Sequence, residues 1–207
     1  MRVESFGESR PQLGRADNED AFLIGHDDPP FAVLCDGAGN AQRAAKRVLL
    51  LFSALYKKAT SQRITDNETW ADWIKVLDSS LLDGPQSTFV GVAVLEHMAV
   101  GACAGNSRAY LLDRNGECRI LSEGAANAQL GSGNAEAFPI RQALKTGETL
   151  LLLSDGVWML LTPSLLKKAV TSVEGSRFSV VPQAILDAAS RAGRLDDMTA
   201  VALRLLP

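Results

Sequence analysis

The sequence comprises 207 residues, of which 46% are hydrophobic and 22% charged, with a formal charge of −3 at pH 7. A chain of this length buries about 70% of the surface that it exposes when unfolded, so we expect residues 1–207 to form a single domain with one sizeable core. The chain has a slight excess of acidic residues, whereas nucleic-acid-binding proteins typically have an excess of basic ones. No apolar run approaches the roughly 18 residues of a membrane span, and the start lacks a secretory signal.

The cysteines are odd in number and lack the spacing of metal ligands; they are Cys35, Cys103 and Cys118. Unpaired cysteines of this kind typically behave as small, buried hydrophobic side chains in proteins of a reducing compartment. The sequence therefore predicts a cytoplasmic protein.

The first half of the chain predicts one strand and two helices. The apolar run Phe31–Cys35 indicates a buried strand that ends in an Asp-Gly turn. Apolar residues at helical spacing predict one helix from Ala41 to Thr60 and a second from Glu68 to Leu82. Trp70 and Trp73 lie on the apolar side of the second helix, where we expect them to pack in the core.

The pattern then changes to β-rich runs separated by turn residues. These runs are Ser87–Leu95, His97–Ala104, Arg108–Asp113 and Glu117–Leu121. Asn115-Gly116 between the last two predicts a β-hairpin. The stretch from Gly124 to Gly133 is rich in Gly, Ala, Ser and Asn, which indicates a loop.

The last third returns to a strand, two helices and a strand. Thr149–Leu153 is an apolar run that again ends in Asp-Gly, and Thr162-Pro163 is a favourable helix start. Val181–Ala192 has helical spacing, and Met198–Leu205 predicts a final strand. This order indicates an α+β domain in which helices cover sheet.

Four acidic clusters stand out, and we expect each to lie where a strand ends. They are Glu19-Asp20, Asp36-Gly37, Asp155-Gly156 and Asp196-Asp197. Either Asp-Gly pair alone is typical of an ordinary turn. If the clusters converge, however, cations must offset their repulsion, because like charges at short range cannot all remain ionised. Ligation by oxygen alone favours Mg²⁺ or Mn²⁺ over Zn²⁺ or copper.

Six sequence pieces, in order, carry a resemblance to a known family. They are Arg15-Ala-Asp-Asn-Glu-Asp20, Phe31-Ala-Val-Leu-Cys-Asp-Gly37, Ser87-Thr88, Ala104-Gly-Asn-Ser-Arg-Ala-Tyr110, Leu151-Leu-Leu-Ser-Asp-Gly-Val-Trp158 and Asp196-Asp-Met-Thr199. This set resembles the metal-dependent serine/threonine protein phosphatases (the PPM family, type 2C), in their bacterial single-domain form. The resemblance implies a four-layer αββα sandwich, in which helices flank two mainly antiparallel sheets.

The resemblance also implies a centre of two Mn²⁺ or Mg²⁺ ions. Asp36 would bridge the two ions, and the carbonyl of Gly37 would bind one of them. Asp155 and Asp196 would hold the other ion.

The same resemblance implies how the reaction proceeds. Glu19 and Asp20 would orient metal-bound waters, and Arg15 would clamp the phosphoryl oxygens with its planar guanidinium group. A water activated by the two ions would attack phosphorus in line, so no covalent phosphoenzyme would form.

The sequence departs from the family pattern at several positions. Asn106 replaces an aspartate that contributes to a third metal site in related phosphatases, so a third ion is in doubt. Asp197 stands where asparagine is usual, and we hypothesise that its charge partly compensates. Ala38 replaces a histidine that eukaryotic members use as general acid. The stretch from residue 106 to residue 155 is shorter than usual, which indicates a reduced flap beside the site.

These observations favour an enzyme that dephosphorylates phosphoserine and phosphothreonine in proteins. Its partners would be phosphorylated proteins and a cognate serine/threonine kinase, and it would act as a monomer. Two alternatives remain open: a catalytically weakened module that binds phosphoproteins or a kinase, and a phosphatase of small phosphoesters. Asn106 and the short flap motivate the first of these, and an open site motivates the second.

Overall fold

The computed structural model describes residues 2–38, 42–82, 84–173, 177–193 and 195–206. The strands are β1 (Val3–Arg10), β2 (Ala21–Gly25), β3 (Phe31–Cys35), β4 (Gly37–Ala38), β5 (Gln86–Ser87), β6 (Phe89–Leu95), β7 (Met98–Ala104), β8 (Arg108–Leu112), β9 (Cys118–Ile120), β10 (Phe138–Ala143), β11 (Thr149–Leu153) and β12 (Met198–Leu205). The helices are α1 (Gln42–Tyr56), α2 (Ser61–Ile64), α3 (Asn67–Ser80), α4 (Asp155–Trp158), α5 (Pro163–Thr171) and α6 (Val181–Ala192), with a 3-10 helix at Phe178–Val180.

Most strands belong to two five-stranded sheets. One sheet has the order β1-β12-β11-β8-β9 and the other the order β10-β7-β6-β3-β2, while β4 and β5 form a separate short ladder. Every pair of neighbouring strands in these sheets is antiparallel. The predicted α+β class with two antiparallel sheets is therefore confirmed.

Alternating side chains along the central strands separate three hydrophobic layers. In β3, Phe31 and Val33 face α1 and α3, whereas Ala32 and Leu34 face the sheet that contains β11. In β11, Leu150 and Leu152 face the sheet that contains β3, whereas Leu151 and Leu153 pack beneath α5 and α6. Because successive side chains of a strand point to opposite faces, such continuous apolar runs suit strands that are covered on both sides. The result is the predicted four-layer αββα sandwich.

The helical layer over β3 and β6 is built around aromatic rings. Phe52 of α1 lies 5.7 Å from Trp70 and 5.7 Å from Trp73, measured between ring centroids. Trp70 is 1% exposed, and its indole N–H donates to the Ile64 carbonyl over 2.8 Å. Both tryptophans are therefore core residues, as predicted, and truncation of either to alanine is expected to cost about 3–5 kcal/mol.

Local signals located several elements correctly. β8 and β9 pair as the predicted hairpin, and the Thr162 hydroxyl accepts from the Leu165 N–H at the start of α5. The first predicted helix ends at Tyr56 rather than Thr60, and its predicted first residue, Ala41, lies outside the described residues. In the part of the chain that the structure describes, no helix is both long and apolar enough to cross a membrane.

Some strands were not predicted. β1 and β10 mix polar with apolar residues, because much of their length is only partly buried. β2 does contain a short apolar run, Ala21–Ile24, so its strand could have been predicted. The predicted run from Ser87 is split into β5 and β6 at Thr88, whose N–H donates to the carbonyl of Asp36 over 2.7 Å rather than to a sheet partner.

Candidate metal centre

The acidic clusters meet at one edge of the sandwich, although only two of them follow strands. Asp36 follows β3 and Asp155 follows β11, as expected. The expectation is wrong for the other two clusters, since Asp20 precedes β2 and Asp196 lies just before β12. Antiparallel pairing accounts for this convergence: the start of β2 lies beside the end of β3, and the start of β12 lies beside the end of β11.

The predicted turn after β11 is the start of a helix. Asp155 is the first residue of α4, and Ser154 occupies the capping position. A side chain at Gly156 would collide with the carbonyl oxygen of Asp197. Glycine therefore lets this helix start approach the strand that carries Asp196, and the two predicted ligands on this side come together.

The carboxylates perturb one another strongly. Burial raises the pKa of Asp36 to about 10, with further contributions from the charges of Asp20, Asp155 and Asp196. Asp36 also shares a hydrogen bond with Asp155. Burial likewise raises the pKa of Asp20 to about 7. These acidic groups can all be ionised at neutral pH only if a cation accompanies them.

Asp20 gives the clearest sign that a group is expected here. It is 5% exposed, and among the described residues neither of its carboxylate oxygens has a well-formed hydrogen bond. The hydroxyls of Ser154 and Thr199 lie close enough to lower its pKa; the Ser154 oxygen also accepts from the Thr199 N–H, and the Thr199 hydroxyl pairs with that of Ser9. A buried carboxylate without partners is costly, so these oxygens fit ligation of a cation or of its waters.

The donor set fits a hard divalent ion. The residues that converge offer oxygen atoms only, which suits Mg²⁺ or Mn²⁺. Among the described residues, no three His, Cys, Asp or Glu side chains are grouped so that they could hold one ion together. Each ion would therefore complete its shell with water, as Mg²⁺ commonly does, and Asp36, Asp155 and Asp196 could share one ion only if these side chains moved closer together.

The backbone at Asp36 and Gly37 is fixed by Ser87 and Thr88. The Asp36 N–H donates to the Thr88 hydroxyl over 3.0 Å, and the Asp36 carbonyl accepts from the Ser87 hydroxyl over 3.1 Å. Gly37 pairs with Ser87 in the β4–β5 ladder. The sequence motif Ser87-Thr88 therefore supports the loop that carries Asp36, the predicted bridging ligand.

The remaining predicted residues lie on the loop between β1 and β2. Arg15 is 40% exposed, and one of its guanidinium nitrogens lies 3.7 Å from the carboxylate of Glu19, whose side chain is 12% exposed. The structure thus places the predicted phosphate clamp at the surface, beside one of the two acidic residues that precede β2.

Asp197 holds this loop in place. One of its oxygens accepts from the Gln12 N–H over 2.6 Å, and the other accepts from the Glu19 N–H over 2.5 Å. Both oxygens are therefore engaged with the backbone. Asp197 therefore holds in place the loop that carries Arg15, a role that its sequence motif did not indicate.

Asn106 contacts the site directly. Its amide N–H₂ donates to the Asp155 carboxylate over 2.8 Å, while its own side-chain oxygen is buried and has no partner among the described residues. Its main-chain carbonyl accepts from the Trp158 indole N–H over 2.9 Å, and the Arg108 guanidinium lies 3.4 Å from the centre of that ring. Trp158 and Arg108 therefore both have a structural role beside Asn106.

A groove opens beside Asn106. It has a volume of about 580 Å³ and is lined by Arg108, Trp158, Met159 and residues 120–129. Four of the lining residues, Gly124, Ala125, Asn127 and Gln129, belong to the predicted loop from Gly124 to Gly133. The groove thus adjoins the carboxylates on the side where the sequence predicts a reduced flap.

Sequence reasoning missed several supporting residues. Ser154 and Thr199 lie within two of the quoted sequence pieces, but nothing there indicates that they contact each other or Asp20. Asp78 lies in no motif, and its partners are remote in sequence.

Comparisons with known proteins were made for the sequence and for the fold. The sequence model described as Stage II sporulation protein E (SpoIIE) matches residues 26–206. Among curated proteins, none matches the chain.

The fold resembles solved bacterial structures closely. The catalytic domain of the serine/threonine protein phosphatase PstP, in complex with two manganese ions, is 19% identical with a TM-score of 0.82, and 99% of each chain is covered. The Mycobacterium tuberculosis phosphatase PstP/Ppp is 19% identical with a TM-score of 0.80, again over 99% of each chain. The phosphatase Stp1 from Staphylococcus aureus is 19% identical with a TM-score of 0.85, covering 100% of this chain and 96% of that one.

Proposed function

Since this chain belongs to the stage II sporulation protein E (SpoIIE) family of type 2C-like phosphatase domains, we propose that it is a metal-dependent phosphatase of phosphoserine and phosphothreonine in proteins. The observation that carries the proposal is the meeting of Asp20, Asp36 and Asp155 at one edge of the sandwich, with Asp20 buried and unpartnered. Carboxylates brought together in this way destabilise the fold unless cations bind. Two bound divalent cations would offset the repulsion between these carboxylates and so account for their presence at one site.

We assign the metal ligands as the sequence predicts. Asp36 would be shared by two ions and the Gly37 carbonyl would bind one of them, while Asp155 and Asp196 would hold the other. A similar fold that contains two manganese ions supports a pair of Mn²⁺ or Mg²⁺ ions. When bound, such a pair lowers the pKa of a water and neutralises charge on a phosphoryl group.

The chain's own side chains would then orient the reactants. Asp20 and Glu19 would accept hydrogen bonds from water at the site, and the Asp20 oxygens are free to do so. Asn106 restrains the Asp155 carboxylate through its amide N–H₂, so one Asp155 oxygen is held in place. The Asn106 side-chain oxygen, which has no partner among the described residues, is left for water or metal.

The groove favours a protein substrate over a small phosphoester. It lies directly beside Asn106 and combines polar side chains with the exposed side chain of Met159, which is 69% exposed. A small ester would leave this surface unused, whereas a peptide that carries the phosphoresidue could lie along it. Phosphorylated proteins, and among them a cognate kinase, are the partners that we propose.

Four further proposals concern the protein as a whole. We propose that residues 1–207 act as one phosphatase domain and as a monomer that does not bind nucleic acid. A cytoplasmic location is supported by the free thiols of Cys35, Cys103 and Cys118, which a reducing compartment maintains.

The proposed function is tested by hydrolysis of a phosphothreonine peptide with Mn²⁺, with Mg²⁺ and with EDTA. We expect turnover that requires a divalent ion, is lost in Asp36→Asn, and is more efficient for the peptide than for p-nitrophenyl phosphate. Equal efficiency on both substrates would favour the small-ester alternative. Mn²⁺ binding without turnover would favour the weakened binding module.

Arg15→Ala should weaken binding of phosphate by roughly 10- to 100-fold, because a hydrogen bond to a charged group contributes about 1.5–3 kcal/mol. Mn²⁺ affinity should stay near that of the wild type, since Arg15 contacts Glu19 at the surface and none of the proposed ligands. Inhibition by inorganic phosphate and calorimetric titration with Mn²⁺ measure the two effects. Arg191→Ala, an exposed arginine on α6, is the matched control. Loss of metal binding in Arg15→Ala would show that Arg15 is structural instead.

A further inference from the structure

A buried carboxylate outside the candidate site anchors a loop to the outer helical layer. Asp78 of α3 is 6% exposed. Its oxygens accept hydrogen bonds from three backbone N–H groups, those of Gly131 over 2.6 Å, Gly133 over 3.2 Å and Ala135 over 3.4 Å. Among the described residues no cation forms an ion pair with Asp78. The three N–H groups are therefore what compensates the cost of burying its charge.

The same loop also packs tightly against the end of α3. Gly131 has a φ of +93°, and a β-carbon there would lie 3.0 Å from the Leu81 β-carbon and 3.1 Å from the Leu81 carbonyl oxygen. Only glycine adopts this conformation at this distance without strain. The position of the loop is thus set jointly by Asp78 and by its contact with Leu81.

The loop is linked in turn to the proposed metal ligands. Leu130, which directly precedes it and is fully buried, exchanges two backbone hydrogen bonds with Ser87, of 3.1 and 2.8 Å. Ser87 pairs on its other side with Gly37, and its hydroxyl donates to the Asp36 carbonyl. Leu130, Ser87 and Gly37 therefore form a ladder of three very short segments that ends at the metal loop.

The inner side of the ladder is held by the central sheet, because β4 and β5 continue the paired strands β3 and β6 and the Thr88 N–H donates to the Asp36 carbonyl between them. Its outer side has less support, since Leu130 joins Ser87 through a single bridge rather than a strand. So short a pairing is only marginally stable by itself. Asp78, which holds the loop that follows Leu130, therefore supports the outer side of the ladder.

We propose that Asp78 is a positioning residue for the metal centre. Asp78 holds residues 131–135 in place and so supports the outer side of the ladder. Through Ser87, the ladder in turn positions the Gly37 carbonyl and the Asp36 backbone. The inference rests on the proposed function, because it takes Asp36 and Gly37 to be ligands. It adds that a side chain of the outer helical layer determines how well the site binds its ions.

Asp78→Asn should weaken Mn²⁺ binding by about tenfold, at the lower end of the cost of losing a partner that orients a ligand. The substitution turns an amide N–H₂ toward backbone N–H donors, so the loop should be released. Calorimetric titration with Mn²⁺ measures the affinity. Amide hydrogen exchange should show lost protection at Gly131, Gly133 and Ala135, a readout that is independent of catalysis.

Asp113→Asn is the matched control. Asp113 likewise accepts two backbone N–H bonds, of 2.8 Å each, but in the β8–β9 turn, at the opposite end of β8 from Asn106. Gly131→Ala is a second test variant that displaces the same loop from Leu81. We expect weaker Mn²⁺ binding in both loop variants and wild-type affinity in the control.

Three results would overturn the inference. Unchanged Mn²⁺ affinity in Asp78→Asn or in Gly131→Ala, with protection of the loop lost, would show that the loop does not position the ligands. An equal loss of Mn²⁺ affinity in Asp113→Asn would show that the substitutions act by lowering the general stability of the protein. If the wild-type protein itself bound no Mn²⁺, the proposed function would fail together with this inference, whereas the first two results leave that function intact.

Discussion

Asp155→Asn should abolish phosphatase activity and weaken Mn²⁺ binding by more than about 100-fold, the upper cost of losing a residue that only supports a ligand. Asp155 is proposed as a direct ligand, and its carboxylate lies beside Asp36 while it accepts a hydrogen bond from Asn106. Asparagine keeps the shape but removes the charge. Its single side-chain oxygen can either accept from Asn106 or face the ions, and its N–H₂ group then takes the other position.

Turnover of a phosphothreonine peptide and calorimetric titration with Mn²⁺ test this prediction together. Asp187→Asn is the control, because Asp187 is a partly exposed carboxylate of α6 whose partner is Arg10 rather than the carboxylate cluster. Wild-type rates in Asp155→Asn would remove Asp155 from the metal centre. The ligand assignment on the β11–β12 side would then rest on Asp196 alone.

The metal-free protein should lose stability as the pH rises. The pKa of Asp20 is raised to about 7 in the folded state, mainly by burial, from an ordinary value near 3.8. A carboxyl group with a raised pKa binds its proton more tightly when folded, so its stabilising effect is complete below about pH 4 and is lost as the pH rises through 7. Asp36 extends the same trend to higher pH, since its pKa is raised to about 10.

Thermal unfolding in EDTA at pH 5, 7 and 9 measures this trend. We expect the Tm to fall from pH 5 to pH 9 and Mn²⁺ to restore it at pH 9, because an ion that binds only the folded state stabilises it. For a chain of this size, each kcal/mol changes the Tm by about 2–4 °C.

Asp20→Asn isolates the contribution of one carboxylate. In EDTA the variant should unfold at a higher temperature than the wild type at pH 9, where wild-type Asp20 is ionised. The two proteins should differ least at pH 5, where both side chains are neutral. A variant that was less stable than the wild type at pH 9 in EDTA would contradict the view that Asp20 is held in place for a cation.

Much of the fold and the chemistry of the site could be predicted from the sequence. Thr162-Pro163 starts a helix and Asn115-Gly116 closes a hairpin because these residues have local backbone preferences that need no distant partner. The unbroken apolar runs of β3 and β11 predict strands covered on both faces. The order of the acidic motifs along the chain was enough to indicate a metal-dependent phosphatase.

The arrangement of the site depends on contacts between residues far apart in the chain. Asp20 and Asp196 precede their strands, and only antiparallel register brings them to Asp36 and Asp155. The sequence did not show that Asp197 would bind the loop carrying Arg15.

The sequence alone determined which chemical groups are available: oxygen ligands, a guanidinium group, and strands and helices with short-range signals. Tertiary structure alone decided which carboxylates would be buried together, and that Asp78 would hold the loop beside Ser87. The physical reason is the difference in the distance along the chain over which these effects act. Backbone preferences act within a few residues, whereas burial, repulsion between charges and hydrogen bonds to remote N–H groups exist only once the layers have packed.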